Sequence, residues 1–195
     1  MGEAKRREAI LRAAILLECD LWDRPGSEWE ARQVEEIRQL PFVKGERAPA
    51  HELAWANMKA RECHVNCIFY AKNDPTGVSK HVLGWWVQGD LLVLHSMIEN
   101  EGRYICITPQ EKDVPPVFPF IPDDKIETVE DGDGINYLRD GEPIVAGLRV
   151  DPEAHRAMIL LMRERVLGGM KPWQAMHLAD DEACERLGIP KAKRR

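Results

Sequence analysis

Apolar residues recur three and four apart over residues 3–22, where Ile10, Ala13, Ala14, Leu17 and Leu21 mark one side of a helix. Arg24, Pro25 and Gly26 break the period. Ser27 is placed to cap a second helix running to about Gln39, which Pro41 ends. Helical spacing resumes from His51 to Lys72 and stops at the turn Asn73-Asp74-Pro75-Thr76-Gly77. The period then drops. Residues 81–88 and 91–98 are rich in Val, Leu and Trp and flank Gly89-Asp90, which predicts a hairpin. A second turn at 99–102 leads to a third strand over 103–108. The proline-rich stretch 109–122 reads as an extended connection over the surface, not a central strand. Short strands follow at 126–129, 135–138 and 144–148. Asp151 and Pro152 open a helix that Gly168 closes, with Ala154, Met158, Leu161 and Met162 facing the core. Pro172 starts another, and Asp180 caps a third.

The expected fold is therefore α+β: N-terminal helices, a central antiparallel sheet of three or more strands, and C-terminal helices packed on it. One domain, 1–195, holds a helical part (1–60), a helix plus sheet (61–150) and the C-terminal helices (151–195). A chain of 195 residues buries roughly 70% of its unfolded surface on folding, so it needs neither disulfides nor metal for a core.

Charge narrows the function. Asp and Glu number 33 against 27 Lys and Arg, a net charge of −6, which argues against a broad basic surface for nucleic acid. No apolar run reaches membrane-spanning length, and the first residues lack the apolar region of a secretory signal. Five cysteines, an odd count without dense spacing, point to reduced thiols and a cytoplasmic location.

The candidate chemistry lies in Glu62-Cys63-His64-Val65-Asn66-Cys67, just before the meander. On a helix Cys63, Asn66, Cys67 and Tyr70 share a face. His95 follows four apolar strand residues and needs a polar reason to be there. A two-residue turn at Asn100-Glu101 sets His95 opposite Cys106, and one at Glu101-Gly102 sets it opposite Thr108. A helix thiol, a strand histidine and a polar group on the next strand have the layout of a thiol hydrolase. The imidazole lowers the thiol pKa and protonates the leaving group, and a third group orients the imidazole.

The order Cys63-His64-x-Asn66, Gly84-Trp85, His95-Ser96 and Ile107-Thr108-Pro109 resembles a small bacterial and phage branch of the papain-like and transglutaminase-like cysteine hydrolase superfamily. The resemblance covers about residues 60–110. It implies Cys63 as nucleophile and His95 as base, acting on an amide or thioester without a cofactor. Asn66 or Asn57 would serve the oxyanion, Asn66 alternatively orienting the histidine. Cys106 stands where that superfamily carries an acidic third residue, with Thr108 close by.

Two other readings compete. Cys63, Cys67, His95 and Cys106 are soft ligands suited to zinc, although no Cys-x-x-Cys spacing supports them. Alternatively the chain is a non-catalytic interaction protein, of phage or mobile-element origin, on a degenerate papain-like fold. In either function the partner is a protein or peptide, with no membrane, and the chain is compatible with a homodimer.

Overall fold

The structure, a computed structural model, describes residues 2–109, 115–132 and 134–187. Its elements fall into two compact units, residues 29–150 and a second formed by residues up to 28 together with those from 151 onward.

In the unit of residues 29–150 the centre is a closed barrel. Its strands are β1 (Val43–Arg47), β2 (Lys80–Gln88), β3 (Leu91–Asn100), β4 (Arg103–Cys106) and β5 (Val117–Pro122). They run round in the order β2-β5-β1-β4-β3, and β3 pairs back with β2. The expected meander β2-β3-β4 is present and antiparallel. Gln88 pairs with Leu91 across Gly89-Asp90, and Asn100 with Arg103 across Glu101-Gly102. Glu101 and Gly102 have φ of 50° and 81°, the left-handed pair that a tight two-residue hairpin turn requires. Of the two registers the sequence allowed, this is the one that directs Thr108 towards His95.

Three expectations need correction. The sheet is not simply antiparallel and open: β1, inside the range read as helical, lies parallel to β4 and antiparallel to β5, and these pairings close it. The proline-rich stretch does supply a barrel strand. In β5, Pro119 lies opposite Lys44 inside the β1 ladder but one residue past the β2 ladder, and Pro122 is the last residue of the strand, so both stand at or beyond an end of the β2 ladder. Finally, the helix expected from His51 to Lys72 is two helices. α3 (Ala50–Trp55) and α4 (Cys63–Asn73) are separated by a loop in which Asn57 and Arg61 take φ of 52° and 65°.

Closure depends on Gly84, where β2 crosses β5. A Cβ there would stand 2.2 Å from Ile121 O and 2.6 Å from Phe120 Cζ. Strand alternation divides the side chains. Val82, Trp86, Met97, Cys106, Phe118 and Phe120 fill the interior, together with His95. Outside, Trp85, Leu92 and Leu94 pack with Val34 and Ile37 of α2 (Glu28–Ile37), and Ile98 and Ile107 pack with Leu53 of α3 and Cys67 of α4. A separate three-stranded sheet consists of β6 (Ile126–Asp131), β7 (Gly134–Arg139) and β8 (Glu142–Pro143), while β9 (Gly147–Arg149) joins the edge of β3. Two ion pairs are buried here. Arg149 grips Glu30 through Nε and Nη2 at 3.0 and 2.7 Å, and Arg139 Nε meets Asp123 at 2.8 Å.

The other unit comprises α1 (Glu3–Trp22), α5 (Pro152–Leu167) and α6 (Pro172–Leu187). Asp151 caps α5 by accepting from Ala154 N at 2.9 Å, and Gly168 ends it, as expected. Two details differ. α1 buries Ile15, Cys19 and Trp22, leaving Ile10 and Leu17 62% and 72% exposed. α6 continues through Asp180 without a fresh cap, because nothing there breaks the helical backbone. Asp23 accepts from Arg156 and Arg163, which hold its carboxyl below the ordinary range.

Candidate functional site

β3 alternates between two polar environments. His95 points into the barrel and is only 4% exposed. Its Nε2 lies 3.3 Å from Cys106 Sγ, the diagonal neighbour on β4. Arg47, at the end of β1, donates through Nη1 to the same sulfur at 3.4 Å, and Cys106 reaches Thr108 O at 4.0 Å. The guanidinium is flanked by the rings of Trp86 and Phe118, with centroids 4.7 and 4.4 Å away. Burial pushes His95 down to about 3, helped by His64 and Arg47, and pushes the Cys106 thiol up against the opposing pull of Thr108 and Arg47. The contact therefore joins a neutral imidazole to a neutral thiol, not an ion pair.

Ser96, the next residue, faces outward beneath α4. Its hydroxyl is 2.6 Å from His64 Nδ1 and 2.7 Å from His81 Nε2. One hydroxyl proton cannot serve both rings, so Ser96 donates to one imidazole and accepts from the other. Tyr137 of β7 stacks on His64 at a centroid distance of 4.3 Å. Burial brings His64 down to about 4, with His81 adding, and lifts Tyr137 to about 12, with Cys63 and Cys67 adding.

Cys63 is the first residue of α4 and partly exposed. Burial raises its thiol, while the backbone N–H groups of Ser96, His64 and Cys63 itself favour the thiolate. Among the described residues no hydrogen bond joins it to His95, whose partner is Cys106. Cys67 is buried between α4 and Ile98 and Ile107, and burial raises its thiol too. Thus the structure joins His95 to Cys106 and Cys106 to the Thr108 carbonyl, while Cys63 and Cys67 stand on α4. Among the described residues no group of three or more His, Cys, Asp or Glu side chains is arranged to hold a metal ion. Asn66 is occupied: its side chain donates to Lys59 O at 2.8 Å and accepts from Lys59 N at 3.3 Å, pinning the loop before α4. Asn57 is exposed on that loop.

Sequence reasoning passed over Arg47, His81 and Ser96. The Gly89-Asp90 turn fixes Leu83 opposite Ser96, which makes His81 a diagonal neighbour on the same face, so this pair could have been found by counting back. Arg47 offered no such signal, since its strand is paired only through distant segments.

Beside this network an apolar cavity of about 570 Å³ opens between α3, α4 and the outer face of β3 and β4. Leu53, Met58, Ile98, Ile105 and Ile107 line it, with Trp55 and Tyr70 standing exposed at its edge. Compared with protein-family models, curated proteins and solved structures, the chain matches none.

Proposed function

We propose that this chain is a non-catalytic binding protein whose site is the cavity beside α3 and α4. The observation that carries the reading is that cavity: about 570 Å³, apolar, with a few polar groups, the size and character of a small-ligand site. The surroundings of the candidate base support it. His95 is 4% exposed with its Nε2 3.3 Å from Cys106, and among the described residues no hydrogen bond joins it to Cys63. Titrating 4-phenylbutanol into ¹⁵N-labelled protein tests the reading. Shifts confined to residues 48–58, 70, 98–100 and 105–107 are expected. Shifts elsewhere, or none, overturn it.

One observation favours a second reading, thiol-dependent acyl transfer on a papain-like plan. Cys63 begins α4, so helix amides and the Ser96 amide converge on a partly exposed sulfur. The thiolate would attack an amide or thioester carbonyl and release the amine or thiol, and water would free the acyl group. Hydrolysis of p-nitrophenyl acetate discriminates. Binding alone predicts equal rates for the wild type and Cys63→Ser, whereas the second reading requires loss in the variant.

A further inference from the structure

The polar groups of the cavity include one carboxylate, and that bears on the choice of ligand. Glu52 is the carboxylate of the lining, and no lysine or arginine lines it among the described residues. Asn100 donates through its amide nitrogen to Ser79 Oγ at 3.0 Å, which leaves its carbonyl oxygen and one N–H to offer. Two aromatic rings complete the edge. Trp55 is 90% exposed, a large ring held in water at the mouth of an apolar cavity, and Tyr70 stands 41% exposed across it. Ring faces and a carboxylate both attract a cation, and the apolar walls take a hydrocarbon body. His51 also lines the cavity, 4.0 Å by Nε2 from Glu52, too far for a strong hydrogen bond that would occupy the carboxylate.

Resting on the binding reading, we propose that the cavity takes a small hydrophobic amine, its ammonium held by Glu52 and the aromatic edge and its apolar body against Ile98, Ile105 and Ile107. Charge complementarity decides against the alternatives. A carboxylate or phosphate ligand would meet Glu52 with no lysine or arginine among the described lining residues and only the His51 imidazole to offset the repulsion. An uncharged ligand would draw nothing from the Glu52 charge or the ring faces.

The test uses three probes of one shape, 4-phenylbutylamine, 4-phenylbutanol and 4-phenylbutyrate, titrated calorimetrically into the full chain. The amine is expected to bind at least tenfold more tightly than the alcohol, and the acid most weakly. Glu52→Gln, a change at an exposed position, should remove most of the amine's advantage over the alcohol and leave the alcohol unchanged. Ala56→Phe should weaken all three by filling the cavity, with circular dichroism confirming that the variant folds. Equal binding of amine and alcohol, or an amine preference that Glu52→Gln leaves undiminished, overturns the cation assignment while the cavity remains a binding site. If none of the three binds at millimolar concentration, the binding reading falls with it. Displacement of the amine by an acidic peptide would equally overturn the small-amine assignment.

Discussion

His64 Nδ1 lies 2.6 Å from Ser96 Oγ, tying the first turn of α4 to a strand hydroxyl that has no exposed surface. His81 approaches the same oxygen from β2 at 2.7 Å. The pair needs at least one imidazole with a free lone pair, so a proton on each ring leaves the hydroxyl proton without an acceptor and sets two charges together in a desolvated place.

Acid should therefore loosen this region. His64 ionises near 6.5 when unfolded but only at about 4 when folded, and the folded value for His95 is about 3. Between these values the unfolded chain binds more protons than the folded one. Stability is complete above the unfolded value and falls as pH drops towards the folded one. Urea midpoints should be flat above about pH 7 and decline below it, with His64 contributing ~3 kcal/mol by pH 4. His64→Gln should flatten part of that decline; an unchanged slope would contradict the account.

Gly84→Ala should destabilise the barrel by ~2 kcal/mol or more, because the added methyl meets a backbone oxygen that cannot swing away. Gly134→Ala is the control, since its Cβ would sit at an ordinary 3.5 Å from Asp131 O. Equal urea midpoints for the two variants would contradict the close crossing of β2 and β5.

Iodoacetamide should label Cys63 before Cys19, Cys67 and Cys106, which have no exposed surface. Because burial raises its thiol above the ordinary value near 9, the labelling rate should still be climbing at pH 9. His95→Ala should leave that rate within about twofold, because His95 is bonded to Cys106 instead. Peptide mass spectrometry at timed intervals reads all of these, and a large drop in His95→Ala would restore the Cys63–His95 pair.

Removing one half of the buried Glu30–Arg149 pair should cost about 3–5 kcal/mol, as the remaining charge is stranded. Arg149→Met combined with Glu30→Leu should cost less than Arg149→Met alone. Guanidinium melts of the wild type, the two single variants and the double variant complete the cycle, and additive losses would contradict the coupling.

The β2-β3-β4 meander was legible because Gly89-Asp90 and Glu101-Gly102 announce both turns and Val, Leu, Ile and Trp fill the strands between. β1 was not. Val43-Lys44-Gly45-Glu46-Arg47 has one large apolar residue, and Gly45 is buried by Met97 and Phe118 supplied from elsewhere in the chain. β5 was concealed by prolines that the ladder ends tolerate. The proximity of His95 to the Cys106–Thr108 face followed from hairpin counting. The inward turn of His95 did not, because which face of β3 turns inward depends on β1 and β5 closing the sheet.

The placement of β1 bears on how the protein is made. During synthesis Val43–Arg47 leaves the ribosome ahead of both strands that flank it, β4 and β5. The β2-β3 hairpin can form as soon as it emerges, yet the ring stays open until Val117–Pro122 has followed. An unpaired strand waiting that long is a template for a wrong partner. Lys44, Glu46 and Arg47 give it three charges in five residues, which keep it soluble until the chain that completes it arrives.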